Sequence, residues 1–442
     1  MPDENIPLLG GSLSGCIVVR AEKQFSRKDM LADVGMLSER VSKYDYLINL
    51  CGDRYFFLLG FCSALVGRVI NILPPNIQPG MLNSLLSTHP NNIVLVDSDQ
   101  FSDLPNTLDI RTIDFGIHAK AIDSDFCIST HQIAAIAFTS GSTGAPTSRE
   151  KTWGALAGVG KLLNQRLCAS VDAVPNILAT VPAQHMYGLE TSIMMALQGE
   201  GSVHFGQPFY PQDIADNLRE LPAPRVLVST PVHLKALMRS GVKLPKLSFV
   251  LSATAPMPLS LAQDLELYML APVMEIYGCT EAGSLATRRT INGNVWDLLD
   301  GVTLSKANYG YTVCSSHLVE DVPLSDNLTM ISSTSLALHG RAQDMLKVAG
   351  KRASLNDLTQ KLLDIDGVHD AVVFVPENNS GGEPRPAALI VASDLSVADI
   401  TTELALFVDP VFLPRPIRKV ASLPRSGTGK ISMGTLMSML NE

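Results

Sequence analysis

The segment 138–153, FTSGSTGAPTSREKTW, is where residue types and spacing point most directly to chemistry. An apolar run leads into it, Gly141 and Gly144 let the backbone curl with its N–H groups inward, and the hydroxyls of Thr139, Ser140, Ser142 and Thr143 add donors. Amides and hydroxyls converging in this way make a cradle for a polyphosphate, the more so where a helix follows and offers its N-terminus. Read without its surroundings, the segment is also an ordinary strand-to-helix turn, because Ser, Thr and Gly are common loop residues. Two other chemistries fail on spacing. Neither this segment nor SGTGKIS (426–432) fits GxxxxGK[ST], and no GxSxG nucleophile elbow occurs. Seven scattered cysteines without a CxxC pair, and nine dispersed histidines, indicate neither a disulfide framework nor a transition-metal site and favour a reducing cytosol.

A cradle of this kind needs a scaffold. The 442 residues suggest two or three folding units. With 46% hydrophobic and 17% charged residues, the chain is too apolar for disorder and has the composition of a compact globular protein. A net charge of −9 without a basic run excludes a nucleic-acid partner, so any phosphate must be gripped locally. The start MPDENIPLLGG lacks the pattern of a signal peptide, and the longest apolar run, residues 55–67, is too short to span a bilayer and reads as a buried helix. Apolar strands at 91–98, 133–140, 224–230 and 247–253 alternate with helical patterns at 25–42, 151–167, 211–221 and 259–270, which predicts a largely parallel sheet in an α/β layering. Near residues 339–352 the pattern changes to a smaller α+β unit. There Ser354 and Asp357 open a helix and strands 369–376 and 387–393 form a hairpin.

Six motifs in order carry a resemblance. TSGSTGAP, PAQHMYG (182–188), LSATAPMP (251–258), IYGCTEAG (276–283), HGRAQDMLKVAGKR (339–352) and LPRSGTGKI (423–431) resemble the signature of the adenylate-forming superfamily of acyl-CoA synthetases, aryl-CoA ligases and peptide-synthetase adenylation domains. The likeness runs from about residue 130 to the C-terminus; the earlier part looks most like the compact AMP ligases of arylpolyene and related aryl-pigment pathways. It implies a large N-terminal layered α/β domain (1–342) for ATP and the acyl substrate, and a small mobile α+β lid (343–442) hinged near Gln343. ATP and a carboxylic acid would give acyl-AMP and pyrophosphate, after which a pantetheine thiol would displace AMP.

The same resemblance assigns roles. Thr139, Ser140, Gly141, Ser142, Thr143 and Gly144 would hold phosphates, and Ala253, Thr254 and Ala255 would border adenine. Tyr277 and Gly278 would lie against adenine and the acyl pocket, Thr280 on a phosphate oxygen, and Glu281 with Thr143 on Mg²⁺, which prefers hard oxygen donors. Asp326, fifteen residues before Arg341, would take the ribose hydroxyls, with Arg341 adding a ribose or phosphate contact. Lys430 would balance charge in adenylation and Lys347 would serve thioester formation. His185 would stand at the carboxylate gate, Tyr187, Gly188, Ser252 and Tyr277 would border the acyl pocket, and Gly350 would lie by the pantetheine channel. Lys351 and Arg352 would face an acidic carrier protein.

Three positions depart from the family pattern. Thr147 stands where a lysine is usual, leaving Arg149 or Lys151 to supply its charge; Ala253-Thr254 replaces Gly-Gly; and Gln343 replaces the common hinge Asp. The expected substrate is an aromatic acid such as a hydroxybenzoate or cinnamate, with an acyl carrier protein as acceptor. The alternatives are an aryl- or fatty acyl-CoA ligase using free CoA, or a degenerate nucleotide-binding homologue without turnover.

Overall fold

Two sheets and the helices between them place the described candidate residues of the large α/β part. A computed structural model of the protein describes residues 4–21, 23–115, 124–139, 147–168, 174–307, 310–341, 345–348, 351–376, 385–425 and 431–442. The first sheet has six strands in the order Thr147–Thr152, Ile133–Thr139, Ile70–Ile72, Tyr46–Asn49, Asn92–Val96 and Thr107–Asp109. All neighbours in it are parallel except Thr147–Thr152, which runs antiparallel at the edge. The second has eleven strands. At its centre Ser202–His204, Asn176–Ala179, Arg225–Ser229, Phe249–Ser252 and Val273–Cys279 are parallel, and their buried Val, Ile and Leu runs are what a sheet covered on both faces requires. From Gly283–Arg289 to Asp326–Met330 the pairing turns antiparallel.

Helix Arg54–Val66 is the 55–67 apolar run, and it is buried almost throughout. Asp53 caps it by accepting from the Tyr55 and Phe56 amides, which satisfies two of the orphan donors of its first turn. Its first residue ties the two sheets together. The Arg54 guanidinium is buried and donates to Ala179 O at 2.8 Å, Val181 O at 2.6 Å and Ser192 Oγ at 2.9 Å. Burial pulls its pKa down to about 10. These bonds pin the chain where it leaves strand Asn176–Ala179 for the PAQHMYG segment. Among the described residues no helix is long and apolar enough to cross a membrane.

One expectation needs correction. The hydroxyl-rich segment does not pass from strand straight into helix. Thr147–Thr152 forms a further strand, Thr147 paired with Thr139, and the helix begins at Trp153 rather than at 151. The cause is edge pairing: once Ile133–Thr139 is buried in the sheet, its free edge is satisfied by strand Thr147–Thr152. The helix N-terminus therefore lies six residues beyond Thr147 and not at the end of the glycine-rich segment.

After this large α/β part comes a small α+β unit. Helix Leu355–Leu363 starts at Ser354, whose side chain accepts from Asp357 N, and the hairpin Asp370–Phe374 with Ala387–Val391 has the expected antiparallel register. Strand Ile417–Lys419 joins it in parallel. Residues from Leu346 to Leu440 fill two apolar clusters of their own, which among the described residues include none of the large part.

Candidate active site

In an open α/β sheet, ligands bind beyond the carboxyl ends of the strands, where loops leave and side chains converge. Three of the motifs leave parallel strands of the eleven-stranded sheet at that edge, the first separated from the other two by Arg225–Ser229. PAQHMYG follows Asn176–Ala179, LSATAPMP begins inside Phe249–Ser252, and IYGCTEAG ends Val273–Cys279. The register sets Ser229, Ser252 and Glu275 side by side. His185 occupies the N-cap position of the short helix Met186–Gly188, which continues into a π-helix at Leu189–Met194. The Tyr187 hydroxyl donates to Ser229 O at 3.0 Å, so the phenol is fixed against the next strand. Gly188 is obligatory there, because a Cβ would lie 2.0 Å from Pro182 O. Ser252 is fully buried, and among the described residues its Oγ has no hydrogen-bond partner.

The loop after Ser252 is anchored by Glu275. Its carboxylate accepts from Met257 N at 2.9 Å, Arg288 Nε at 2.6 Å and Thr290 Oγ1 at 2.6 Å. Within that loop Thr254 has φ +77°, a left-handed conformation that a β-branched residue avoids, and its buried Oγ1 has no partner among the described residues. Here the replacement of a Gly-Gly pair becomes a physical cost. Thr254→Gly should relieve about 1–3 kcal/mol of strain against about 0.5–1 kcal/mol of added chain entropy, a net gain of about 1 kcal/mol. Chemical denaturation of the two proteins measures it; a less stable glycine variant would mean that Thr254 packs better than its φ suggests.

Tyr277, two residues beyond Glu275, donates its hydroxyl to Asp326 Oδ2 at 3.0 Å. Asp326 in turn is the register partner of Arg341 on the neighbouring antiparallel strand. An aromatic ring, a carboxylate and an arginine position, separated by up to 64 residues of sequence, thus meet at one edge of the sheet. Tyr277 is held further by Trp296, edge to face with centroids 5.9 Å apart.

The turn Thr280–Ala282 that follows carries Glu281, and its surroundings hold two residues that sequence reasoning missed. Glu190, on the π-helix, is buried and takes both the backbone N and the Oγ of Ser284 on one carboxylate oxygen; the other, Oε1, has no partner among the described residues. Burial raises its pKa, opposed by Ser284 and by nearby Lys151. Lys151 is buried and donates to the Glu281 carbonyl at 2.6 Å; burial lowers its pKa, with Glu190 opposing. His317 lies against the same turn, and burial holds its imidazole down at about 4, so it stays neutral near pH 7. The Glu281 carboxylate itself is partly exposed, with Oε1 3.3 Å from Arg149 Nε. A lone Glu in the apolar stretch 189–197, LETSIMMAL, was a readable signal for Glu190, since isolated charges are rarely buried without purpose. For His317 there was none.

Several expected residues lie outside the described ones: Ser140, Gly141, Ser142, Thr143, Gly144, Gln343, Gly350 and Lys430. For Thr139, Arg341, Lys347, Lys351 and Arg352 only the backbone is described; Lys347 is paired with Arg352 in the hairpin Met345–Val348 with Lys351–Ser354.

Comparison with known proteins gives this geometry a family. The model of the AMP-binding enzyme family matches residues 46–322. A 3,4-dihydroxybenzoate–[aryl-carrier protein] ligase of Bacillus anthracis is 23% identical over 307 residues, covering 67% of this chain and 71% of that protein. A 4-coumarate–CoA ligase of Halorhodospira halophila is 27% identical over 307 residues, covering 66% and 73%. Among solved structures, ATP-bound MatB from Rhodopseudomonas palustris superposes with a TM-score of 0.82 at 16% identity over 98% of this chain and 97% of that one. With more than half of its length matched, the chain belongs to the AMP-binding enzyme family and is an adenylate-forming ligase.

Proposed function

We propose that the enzyme activates an aromatic carboxylic acid with ATP and passes the acyl group to a phosphopantetheine thiol of an acyl carrier protein. The observation that carries the reading is the meeting of Tyr277, Asp326 and the Arg341 position beside the Tyr187 and Ser252 edge of the same sheet. One side offers a ring face and a carboxylate for a nucleoside, the other a slot between strands for an acid. In the first half-reaction a carboxylate oxygen attacks the α-phosphorus and pyrophosphate leaves. In the second the thiol sulfur attacks the acyl carbon and AMP departs. Activation is needed because oxide is a hopeless leaving group and AMP a good one. The aromatic substrate and the carrier acceptor draw support from relatives named for 3,4-dihydroxybenzoate, coumarate and an aryl-carrier protein.

The residues fit a hard divalent cation such as Mg²⁺, which would neutralise phosphate charge when bound. Glu281 offers a partly exposed carboxylate on a turn fixed by Lys151 on one side and by Glu190, through Ser284, on the other. Glu281→Gln should raise the Mg²⁺ concentration needed for half-maximal activity sharply, since a neutral amide is the poorer ligand; an unchanged Mg²⁺ titration would remove Glu281 from the metal.

ATP–pyrophosphate exchange with benzoates, cinnamates and fatty acids side by side tests the reading. Exchange stimulated by hydroxybenzoates or cinnamates supports it, exchange with fatty acids alone overturns the aromatic assignment, and no exchange with any acid leaves a homologue without turnover. With the aryl acid in hand, thioester formation should favour a holo-carrier protein over free CoA. The double charge reversal Lys351→Glu/Arg352→Glu should slow the carrier reaction while sparing adenylation. Efficient use of free CoA, indifferent to those reversals, would make the enzyme an aryl-CoA ligase.

A further inference from the structure

Side chains alternate across a strand, so Thr147, Arg149 and Lys151 leave strand Thr147–Thr152 on one side. The two cations reach the same residue, Arg149 through Nε to the Glu281 carboxylate at 3.3 Å and Lys151 through Nζ to the Glu281 carbonyl at 2.6 Å. They are not equivalent. Lys151 is 5% exposed and lies near the buried Glu190 carboxylate, so withdrawing its ammonium would strand both that charge and the Glu281 carbonyl. Lys151 is a brace. The Arg149 side chain is 46% exposed and its one polar partner among the described residues is the 35% exposed Glu281 carboxylate, a contact that water screens and that costs little to give up. Its planar fork suits two phosphate oxygens at once, which a point charge does not. It also stands two residues beyond Thr147, where the chain returns from the hydroxyl-rich segment.

We propose that Arg149 is the cation that binds the β- and γ-phosphates in this enzyme, and that Glu281 is its placeholder partner while no nucleotide is present. When the nucleotide arrives, the pair separates: the guanidinium turns to phosphate oxygens and the carboxylate is released to the metal. The positive charge absent from position 147 is thus moved along one strand face to position 149. This inference deepens the adenylation reading and rests on it.

Calorimetric binding of ATP, pyrophosphate and AMP, each in Mg²⁺ and in EDTA, tests it on wild type, Arg149→Ala, Arg149→Lys and Thr147→Lys/Arg149→Ala. Losing one charge-assisted contact should weaken ATP and pyrophosphate by at least about tenfold in Arg149→Ala, in EDTA as well as in Mg²⁺. AMP lacks the two phosphates, so its affinity should stay unchanged. Arg149→Lys should fall between, and a lysine at 147 should recover part of the loss. Equal weakening of ATP and AMP would mean that Arg149 merely supports the turn, and unchanged ATP binding would mean that it contacts no phosphate; either overturns the proposal. Wild-type exchange activity is measured beside these. A wild type that shows the ATP-to-AMP contrast but exchanges pyrophosphate with no acid would overturn the adenylation reading while leaving Arg149 as a phosphate ligand.

Discussion

Lys430→Ala is expected to lower ATP–pyrophosphate exchange by about 10²-fold or more, the effect of removing one preorganised donor from a centre where charge concentrates. Transfer from preformed acyl-AMP to the thiol should survive in the same variant. Lys430 lies outside the described residues, and its assignment comes from the LPRSGTGKI motif, but both flanks of that motif are anchored. Before it, Arg425 grips Asp370 through two bonds, Nε to Oδ2 at 2.9 Å and Nη2 to Oδ1 at 2.6 Å, and Leu423 is buried. After it, Ile431 packs into the small unit's second apolar cluster and Ser432 caps helix Met433–Asn441. A lysine delivered from anchored ends of a small domain suits a group that must arrive in one geometry and leave in another. Lys347→Ala should show the opposite pattern, with adenylate made normally and transferred slowly. Both half-reactions measured on both variants decide the matter: near wild-type exchange by Lys430→Ala would withdraw the residue, and equal losses in both halves would argue against alternation of the small domain.

What the sequence made legible follows from where the information lies. Strands such as Asn92–Val96 and Arg225–Ser229 are built on the unbroken apolar runs IVLV and VLV, and helix Pro211–Glu220 carries its own periodicity and a proline at its start, so local pattern suffices. Strand Thr147–Thr152 does not work that way. Its residues, TSREKT, read as the end of a turn and, from Lys151, the start of a helix; its extended form is dictated by the edge of Ile133–Thr139. The site divides along the same line. Glu281, Tyr277, Asp326 and Arg341 were found through motif resemblance, and the structure adds what no motif states: the phenol of Tyr277 on Asp326, and Asp326 opposite Arg341. Glu190, Lys151 and His317 meet beneath the Glu281 turn from three separate elements, a tertiary fact with little local signature.

That buried support is what makes Gly278→Ala a severe substitution for its size beside the Glu281 turn. Between Tyr277 and Gly278 the strand bulges, and Gly278 is pressed onto the returning chain so closely that a Cβ would lie 2.3 Å from Gly283 O and 2.8 Å from Ser284 Cα. Both are backbone atoms, so no side chain can swing aside. Nor can the returning chain retreat easily: the Ser284 amide is bonded to the buried Glu190 at 3.0 Å, and a Cβ on Gly283, at φ +80°, would meet Glu190 Oε1 at 2.8 Å. Lys151 holds the intervening turn at the Glu281 carbonyl. Ordinary contact begins at 3.4 Å, so one methyl group must displace the turn by about 1 Å, a misplacement that costs on the order of 10²-fold in rate when it moves a catalytic group. Exchange should therefore fall by about that factor while the sheets, set by burial elsewhere, remain folded. Gly80→Ala supplies the control: in helix Pro79–Thr88 its Cβ meets nothing within 4 Å, and it should gain about 0.5–1 kcal/mol of stability without touching exchange. If Gly278→Ala melts with the wild type and exchanges pyrophosphate at the wild-type rate, the turn yields more readily than its supports allow, and the position of Glu281 is not what the fold is built to hold.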